Sequence, residues 1–113
     1  MSRIHQLIES LRQRSDVGVV EQEQSWLVVI PKGRDFFCEV TIPHAVLEWF
    51  ACVKRRHDTR EVWSDWMDYT GYDGSPKEQL EAEMGDDILS FIDHVSTSEL
   101  HLPLRILEKR PYQ

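Results

Sequence analysis

The apolar residues near the N-terminus recur at the spacing of one helical face. Ile4, Leu7, Ile8 and Leu11 stand at positions i, i+3, i+4 and i+7, which is the pattern of an amphipathic helix that buries one stripe. Ser2 precedes this stripe, and serine is a favourable N-cap residue. The sequence therefore predicts an N-terminal helix that packs against the rest of the protein.

The pattern then changes to that of strands. Segments 26–30 and 36–42 are rich in β-branched and aromatic residues, as strands usually are. Gly33 lies between them and tolerates the positive φ of a tight turn. We expect the two segments to form an antiparallel hairpin, and residues 17–20 to add a short strand.

Residues 44–56 fit two structures. One set of apolar residues has the spacing of a helical face: Val46, Trp49, Phe50 and Val53. Another set alternates as one face of a strand does: Leu47, Trp49, Ala51 and Val53. The strand is favoured, because the polar segment 54–60 is typical of a turn that leads into a partner strand beginning at residue 61.

A long helix is predicted near the C-terminus. Ser75 is placed to be its N-cap, Pro76 to occupy the first helical position and Glu78 to complete a capping box. Six apolar residues follow at helical spacing: Leu80, Met84, Ile88, Phe91, Ile92 and Val95. Three residues project on the opposite side of this helix, on a face that the core is not expected to use: Asp86, Leu89 and Asp93.

Residues 100–106 alternate as a last strand, in which Pro103 has to lie at a sheet edge because it lacks an N–H donor. Two helices and four to six strands without β-α-β alternation indicate an α+β fold. We expect a single domain over residues 1–113. An N-terminal helix and a long helix near the C-terminus would pack on one face of an antiparallel sheet.

Acidic residues are concentrated between residues 61 and 93. This segment holds ten acids and one base, a net charge of −9, whereas the rest of the chain carries +2. Such a surface repels nucleic acid and anionic membranes, and it attracts cationic proteins. The sequence therefore favours a cationic protein partner over nucleic acid or a membrane.

Aromatic residues lie among these acids, and aromatic side chains are common anchors at protein interfaces. They are Trp63, Trp66, Tyr69 and Tyr72. In a strand, Trp63 and Trp66 point to opposite faces because their positions have opposite parity. One of the two is therefore expected in the core, and the other is left for a second layer of structure or for a partner.

No pattern in the sequence requires a catalytic reaction. The five histidines lack metal-ligand spacing, and there is neither a nucleophile elbow nor a phosphate-binding loop. Cys38 and Cys52 have apolar neighbours and are expected to be reduced and buried. We predict a protein without cofactor or metal that is not an enzyme. Since no secretion signal or membrane span is recognisable, we expect it in the cytoplasm.

Part of the chain resembles the small bacterial immunity proteins of polymorphic toxin systems. The resemblance lies in Ile42-Pro43, the apolar run from Val46 to Phe50, the aromatic and acidic stretch from Trp63 to Tyr69, and Gly71-Tyr72. It covers about a third of the chain. It implies a protein that binds and blocks a cognate toxin domain, often a basic nuclease.

The sequence thus predicts a small acidic protein-binding module, most specifically an immunity protein that neutralises a cationic toxin domain. Nine residues form the predicted partner surface: Asp65, Trp66, Asp68, Tyr69, Tyr72, Asp73, Asp86, Leu89 and Asp93. Two alternatives stay open. A nucleic-acid mimic would inhibit a DNA- or RNA-processing enzyme with its carboxylates alone and would bury its aromatic residues. A small ligand-binding or enzymatic domain would need a concave pocket lined by histidines and acids.

Overall fold

The computed structural model describes residues 2–69 and 76–99. Within these two ranges the elements follow one another as α1 (Arg3–Arg12), β1 (Gly18–Glu21), β2 (Ser25–Lys32), β3 (Phe36–Pro43), β4 (Glu48–Arg55), β5 (Glu61–Asp68) and α2 (Lys77–Thr97). The α+β prediction is confirmed. The preferred strand for residues 44–56 is confirmed as well, since β4 occupies most of that segment.

The five strands form one sheet in the order β1-β2-β3-β4-β5, and every neighbouring pair is antiparallel. Each strand is therefore joined to the next by a short connection. Gly33 has a φ of 66° in the connection between β2 and β3, a conformation that glycine adopts at no steric cost. The prediction of a glycine turn in this hairpin is confirmed.

Every second residue of the central strands is buried under the helices. These residues are Trp26, Val28 and Ile30 in β2, Cys38, Val40 and Ile42 in β3, and Trp49, Ala51 and Val53 in β4. The helices contribute the residues that the sequence predicted for their apolar stripes: Ile4, Leu7, Ile8 and Leu11 in α1, and Leu80, Met84, Ile88, Phe91, Ile92 and Val95 in α2. The core thus lies between the two helices and one face of the sheet.

The helices begin differently from each other. Ser2 caps α1 as predicted, because its Oγ accepts a hydrogen bond from the backbone N–H of His5 at 3.1 Å. Helix α2 begins at Lys77, and its N-cap is Pro76 in an extended conformation. The prediction that Pro76 occupies the first helical position is therefore wrong by one residue. Ser75 and the predicted strand 100–106 lie outside the described residues.

Helices α1 and α2 lie close together where α2 has a glycine. A Cβ atom at Gly85 would stand 3.1 Å from Cγ of Arg3 and 3.7 Å from Cδ1 of Ile4. Glycine in a helix interior costs about 1 kcal/mol relative to alanine, and the close approach of α1 is the structural reason for a glycine at position 85.

No helix in the described ranges is long and apolar enough to cross a membrane.

Candidate protein-binding surface

The sheet has a second face, opposite the helices, which we call the open face. One cross-strand row of this face runs over all five strands and consists of Val20, Leu27, Thr41, Phe50 and Trp66. A second row beside it contains Glu39, Cys52 and Ser64. No helix or strand within residues 2–69 and 76–99 packs over these rows.

Large apolar side chains are exposed on the open face. Trp66 is 51% exposed, its cross-strand neighbour Phe50 is 39% exposed, and Val20 at the other end of the row is 51% exposed. Scattered single apolar residues are normal on a protein surface, whereas neighbouring ones that are exposed together mark binding sites. The Phe50–Trp66 pair is therefore the best candidate for the centre of an interface.

A concave groove of about 400 Å³ lies beside this pair, over β3, β4 and β5. Its walls combine aromatic, small polar and acidic residues: Glu39, Thr41, Phe50, Ala51, Cys52, Glu61, Ser64, Asp65 and Trp66. The exposed pair of aromatic residues is thus one wall of a depression rather than part of a flat surface.

Hydrogen bonds hold Trp66 in place from two sides. Its indole N–H donates to Oε2 of Glu48 at 3.3 Å, which orients the ring. Its backbone N–H donates to Oδ1 of Asp65 at 2.8 Å. Because both donors are satisfied, the exposed indole presents an oriented apolar surface rather than unpaired polar atoms.

Among the residues that the structure describes, one carboxylate of the groove is balanced by a cation. Nζ of Lys54 lies 2.7 Å from Oε1 of Glu39, and this hydrogen bond raises the pKa of the Lys54 ammonium. Three further carboxylates at or next to the groove make no ion pair with any residue that the structure describes: Glu48, Glu61 and Asp65. The groove region therefore carries a net negative charge.

Cys52 lies in the groove wall, whereas Cys38 faces the core. Both thiols are free. Burial raises the pKa of Cys38 to about 12. Burial and the nearby Glu39 carboxylate, to which the Cys52 thiol donates at 3.8 Å, also raise the pKa of Cys52. The prediction that both cysteines are buried is confirmed for Cys38 and is wrong for Cys52, which is only half-buried.

Strand parity separates the two tryptophans of β5 as predicted. Trp63 is half-buried on the helix side, where its ring stacks on Phe91 with centroids 6.2 Å apart. Trp66 projects on the open face. The prediction that one of them packs in the core and the other is left exposed is confirmed, and Trp66 is the exposed one.

Tyr69 is not available to a partner, although the sequence placed it on the predicted surface. Its side chain is fully buried. Its hydroxyl oxygen accepts from Nε1 of Trp49 at 3.1 Å and donates to Oδ2 of Asp87 at 2.7 Å. Tyr69 therefore belongs to the core, because a buried hydroxyl and a buried indole satisfy each other there.

The remaining predicted residues of this segment are placed as follows. Asp65 and Trp66 line the groove. Asp68 is half-buried at the end of β5, where it is the register partner of Glu48. Tyr72 and Asp73 lie outside the described residues.

The predicted acidic face of α2 lies on the helix side of the molecule, away from the groove. Asp86 forms an ion pair with Arg3, and Oδ1 of Asp93 lies 2.5 Å from Nη1 of Arg14. Leu89 is partly buried and packs against the core. The prediction that the core does not use this face is therefore wrong for Leu89, and the two acids are balanced within the chain.

Arg14 connects the segment that follows α1 to helix α2. Besides Asp93, it contacts Oδ2 of Asp16 at 2.7 Å and donates to Oγ of Ser96 at 3.1 Å. The two carboxylates raise the pKa of the Arg14 guanidinium, and Arg14 in turn lowers the pKa of Asp16. These contacts link the end of α1 to α2, which is a structural role.

The basic turn between β4 and β5 makes local contacts. Nη2 of Arg55 lies 2.5 Å from Oδ2 of Asp58, and Nε of Arg56 donates to the carbonyl of Phe36 at 3.2 Å.

Throughout the part of the chain that the structure describes, no group of three or more histidine, cysteine or carboxylate side chains is arranged to hold a metal ion.

Sequence reasoning did not place on the partner surface five groove-region residues that carry a charge, an aromatic ring or a thiol: Glu39, Glu48, Phe50, Cys52 and Glu61. The signal for Phe50 was its parity, because a strand that buries Trp49 and Ala51 has to expose the residue between them. The others needed the strand register, which brings residues distant in sequence together.

Comparisons with protein-family models, with curated proteins and with solved structures find no match to this chain.

Proposed function

We propose that this chain is a non-catalytic binding module of the cytoplasm that docks a cationic protein on the open face of its sheet. In its most specific form the proposal is an immunity protein that blocks a basic toxin domain. One observation carries it: the exposed Phe50–Trp66 pair stands beside carboxylates that make no ion pair in the described chain.

The two components of this surface would act at different stages of binding. Carboxylates such as those of half-buried Glu48 and exposed Glu61 attract a cationic protein over several ångströms and raise the association rate. Aromatic anchors such as Trp66 lose water on contact and slow dissociation. A surface that combines both suits a tight stoichiometric inhibitor.

The location of the charges favours this proposal over a nucleic-acid mimic. A mimic would use rows of unpaired carboxylates and would bury its aromatic residues. Here the two α2 acids on the predicted face are paired with Arg3 and Arg14, whereas Trp66 is half exposed. The arrangement supports an anchor surrounded by charge rather than a phosphate-like array.

Co-expression tests the proposal with a defined partner. Basic domains encoded beside the gene are expressed with this chain, and growth rescue and a purified 1:1 complex are measured. Because a lysine on the open face repels a cationic partner and removes an anchor, we expect Phe50→Lys with Trp66→Lys to abolish both. Val46→Lys, at an exposed apolar residue outside the groove, is the control and should behave as the parent does.

The salt dependence of that complex separates steering from anchoring. Exposed charges are screened over about 8 Å at 0.15 M ionic strength, so the association rate should fall as salt rises, while the dissociation rate changes little. An association rate that is independent of salt would count against a cationic partner.

A further inference from the structure

The groove beside Trp66 is too small for a folded domain but large enough for one long side chain. Resting on the proposed function, we infer that it is the pocket for a single arginine side chain of the partner. The guanidinium would stack on Trp66 and pair with the carboxylate of Glu61. The volume of the groove, about 400 Å³, lies within the range of about 300–1,000 Å³ typical of ligand pockets.

The aromatic wall suits a cation with a long aliphatic stem. A guanidinium over the face of an indole is attracted by the ring quadrupole, and tryptophan gives the strongest such contact. The hydrogen bond to Glu48 already orients the Trp66 ring, so little reorganisation is needed. Phe50, directly across the strand pair, offers an apolar surface to the methylene groups of the incoming side chain.

The acidic residues of the groove supply the charge for this pairing. Glu61 lines the groove and makes no ion pair in the part of the chain described by the structure. Glu39 already holds Lys54 at 2.7 Å and is less able to accept a second cation. The attraction is therefore concentrated at Glu61, on the β5 side of the groove.

Arginine fits these walls better than lysine does. Its planar guanidinium stacks on aromatic rings and presents a fork of donors to carboxylates, whereas the lysine ammonium is a compact and strongly hydrated charge. The groove offers a flat aromatic wall and carboxylates together. This combination is the reason for assigning arginine rather than any basic residue.

The inference can be tested with a small probe and the intact chain. N-acetyl-argininamide is titrated into ¹⁵N-labelled protein, and the indole N–H signals are followed by NMR. We expect a saturable shift of Trp66, while the signals of buried Trp26 and Trp49 stay in place. The uncharged citrulline analogue should bind about two- to fivefold more weakly, the size of an exposed cation–π contact. The lysine analogue should also bind more weakly, because its hydrated ammonium does not stack on the ring as a planar guanidinium does.

Matched variants assign the site. Trp66→Ala and Glu61→Gln should each weaken probe binding by about two- to fivefold, read from the backbone signals of Phe50 and Cys52. Glu23→Gln removes the same charge at an exposed residue elsewhere and should have no effect. Equal binding of the citrulline analogue, or equal binding to all variants, would overturn the inference. Equal binding of the lysine analogue would overturn the assignment to arginine.

Cys52 provides a second readout within the groove. Iodoacetamide should modify Cys52 in the folded protein and spare Cys38, which is fully buried. Because the groove wall and the neighbouring carboxylate raise the pKa of Cys52, the reaction is best followed above neutral pH. N-acetyl-argininamide should slow the modification and the citrulline analogue should not. Equal rates with both probes would contradict occupancy of the groove.

Failure of this inference can be told apart from failure of the proposed function. If the lysine substitutions at Phe50 and Trp66 abolish the partner complex while N-acetyl-argininamide does not bind, the open face is the interface and the arginine pocket is wrong. If the probe binds and the complex is unaffected by those substitutions, the pocket stands and the proposed function is wrong.

Discussion

The two faces of the sheet use the same residue types for opposite purposes. On the helix side, Trp49 is fully buried and its indole N–H donates to the buried hydroxyl of Tyr69. On the open face, Trp66 is half exposed and its indole N–H donates to the surface carboxylate of Glu48. The partner of the indole N–H thus separates the tryptophan that lies in the core from the one that is exposed on the open face.

The acidic residues divide in the same way. On the helix side, the carboxylates of Asp86, Asp87 and Asp93 contact Arg3, Tyr69 and Arg14, respectively. Near the groove, Glu61 and Asp65 make no ion pair with a described residue. The acidic segment therefore contains acids that contact residues of the fold and acids that make no ion pair with a described residue.

Replacing the two tryptophans by alanine gives the largest contrast. Trp49→Ala should lower the free energy of unfolding by about 3–5 kcal/mol, because it leaves a large cavity in the core. Trp66→Ala should cost at most about 1 kcal/mol, the value of an exposed cross-strand pair. Urea unfolding measures both, and similar losses would remove the distinction between the two faces.

Tyr69→Phe tests whether the buried hydroxyl supports the core. The substitution keeps the ring but leaves the indole N–H of Trp49 without its acceptor, and an unsatisfied buried donor costs about 1–3 kcal/mol. We expect urea unfolding to show a loss of stability in that range. Partner binding should be unchanged when it is measured under conditions in which the variant is folded. A weakened complex with normal stability would return Tyr69 to the binding surface.

The acids of α2 are tested by charge reversal. Asp86→Lys with Asp93→Lys would bring lysines beside Arg3 and Arg14 and replace two attractive pairs by repulsion. We expect a loss of about 1–2 kcal/mol, because exposed pairs are worth up to about 1 kcal/mol each.

The matched control for this charge reversal is Glu61→Lys with Asp65→Lys, which should leave most of the stability and weaken the complex instead. Partner binding lost through the α2 pair, with the fold intact, would move the interface to the helices.

The sequence was sufficient for the fold because its periodicities are local. The stripe from Ile4 to Leu11 and the alternation around Trp49 depend only on residues close in the chain. Parity also required that either Trp63 or Trp66 be exposed. Which one faces the helices depends on the strand pairing, because Trp63 lies opposite buried Val53 and Trp66 opposite Phe50.

The charge partners could not be predicted in this way. Asp86 and Asp93 were placed correctly opposite the apolar stripe, but no periodicity shows that Arg3 and Arg14 lie beside them. These pairs join residues about 80 positions apart in sequence. Tyr69 was misplaced for a related reason, since an aromatic residue among acids has the composition of an interface although its hydroxyl is satisfied inside the core.

The smallest expected effect is a pH dependence on the helix side. The hydrogen bond from Arg14 lowers the pKa of the Asp16 carboxyl, whereas in the unfolded chain this group has its ordinary pKa of about 3.9. A lowered pKa in the folded state means that the pair stabilises the protein above that ordinary value and that the stabilisation disappears as pH falls through the folded-state pKa. Asp16→Asn should therefore be slightly less stable than the parent at pH 6, and the difference should shrink below about pH 4. Urea midpoints of the two proteins at several pH values measure this, and Glu23→Asn, at an exposed acid without an ion pair in the described chain, should show no such convergence. A difference between Asp16→Asn and the parent that persists at low pH would assign the effect to the local backbone rather than to the ion pair.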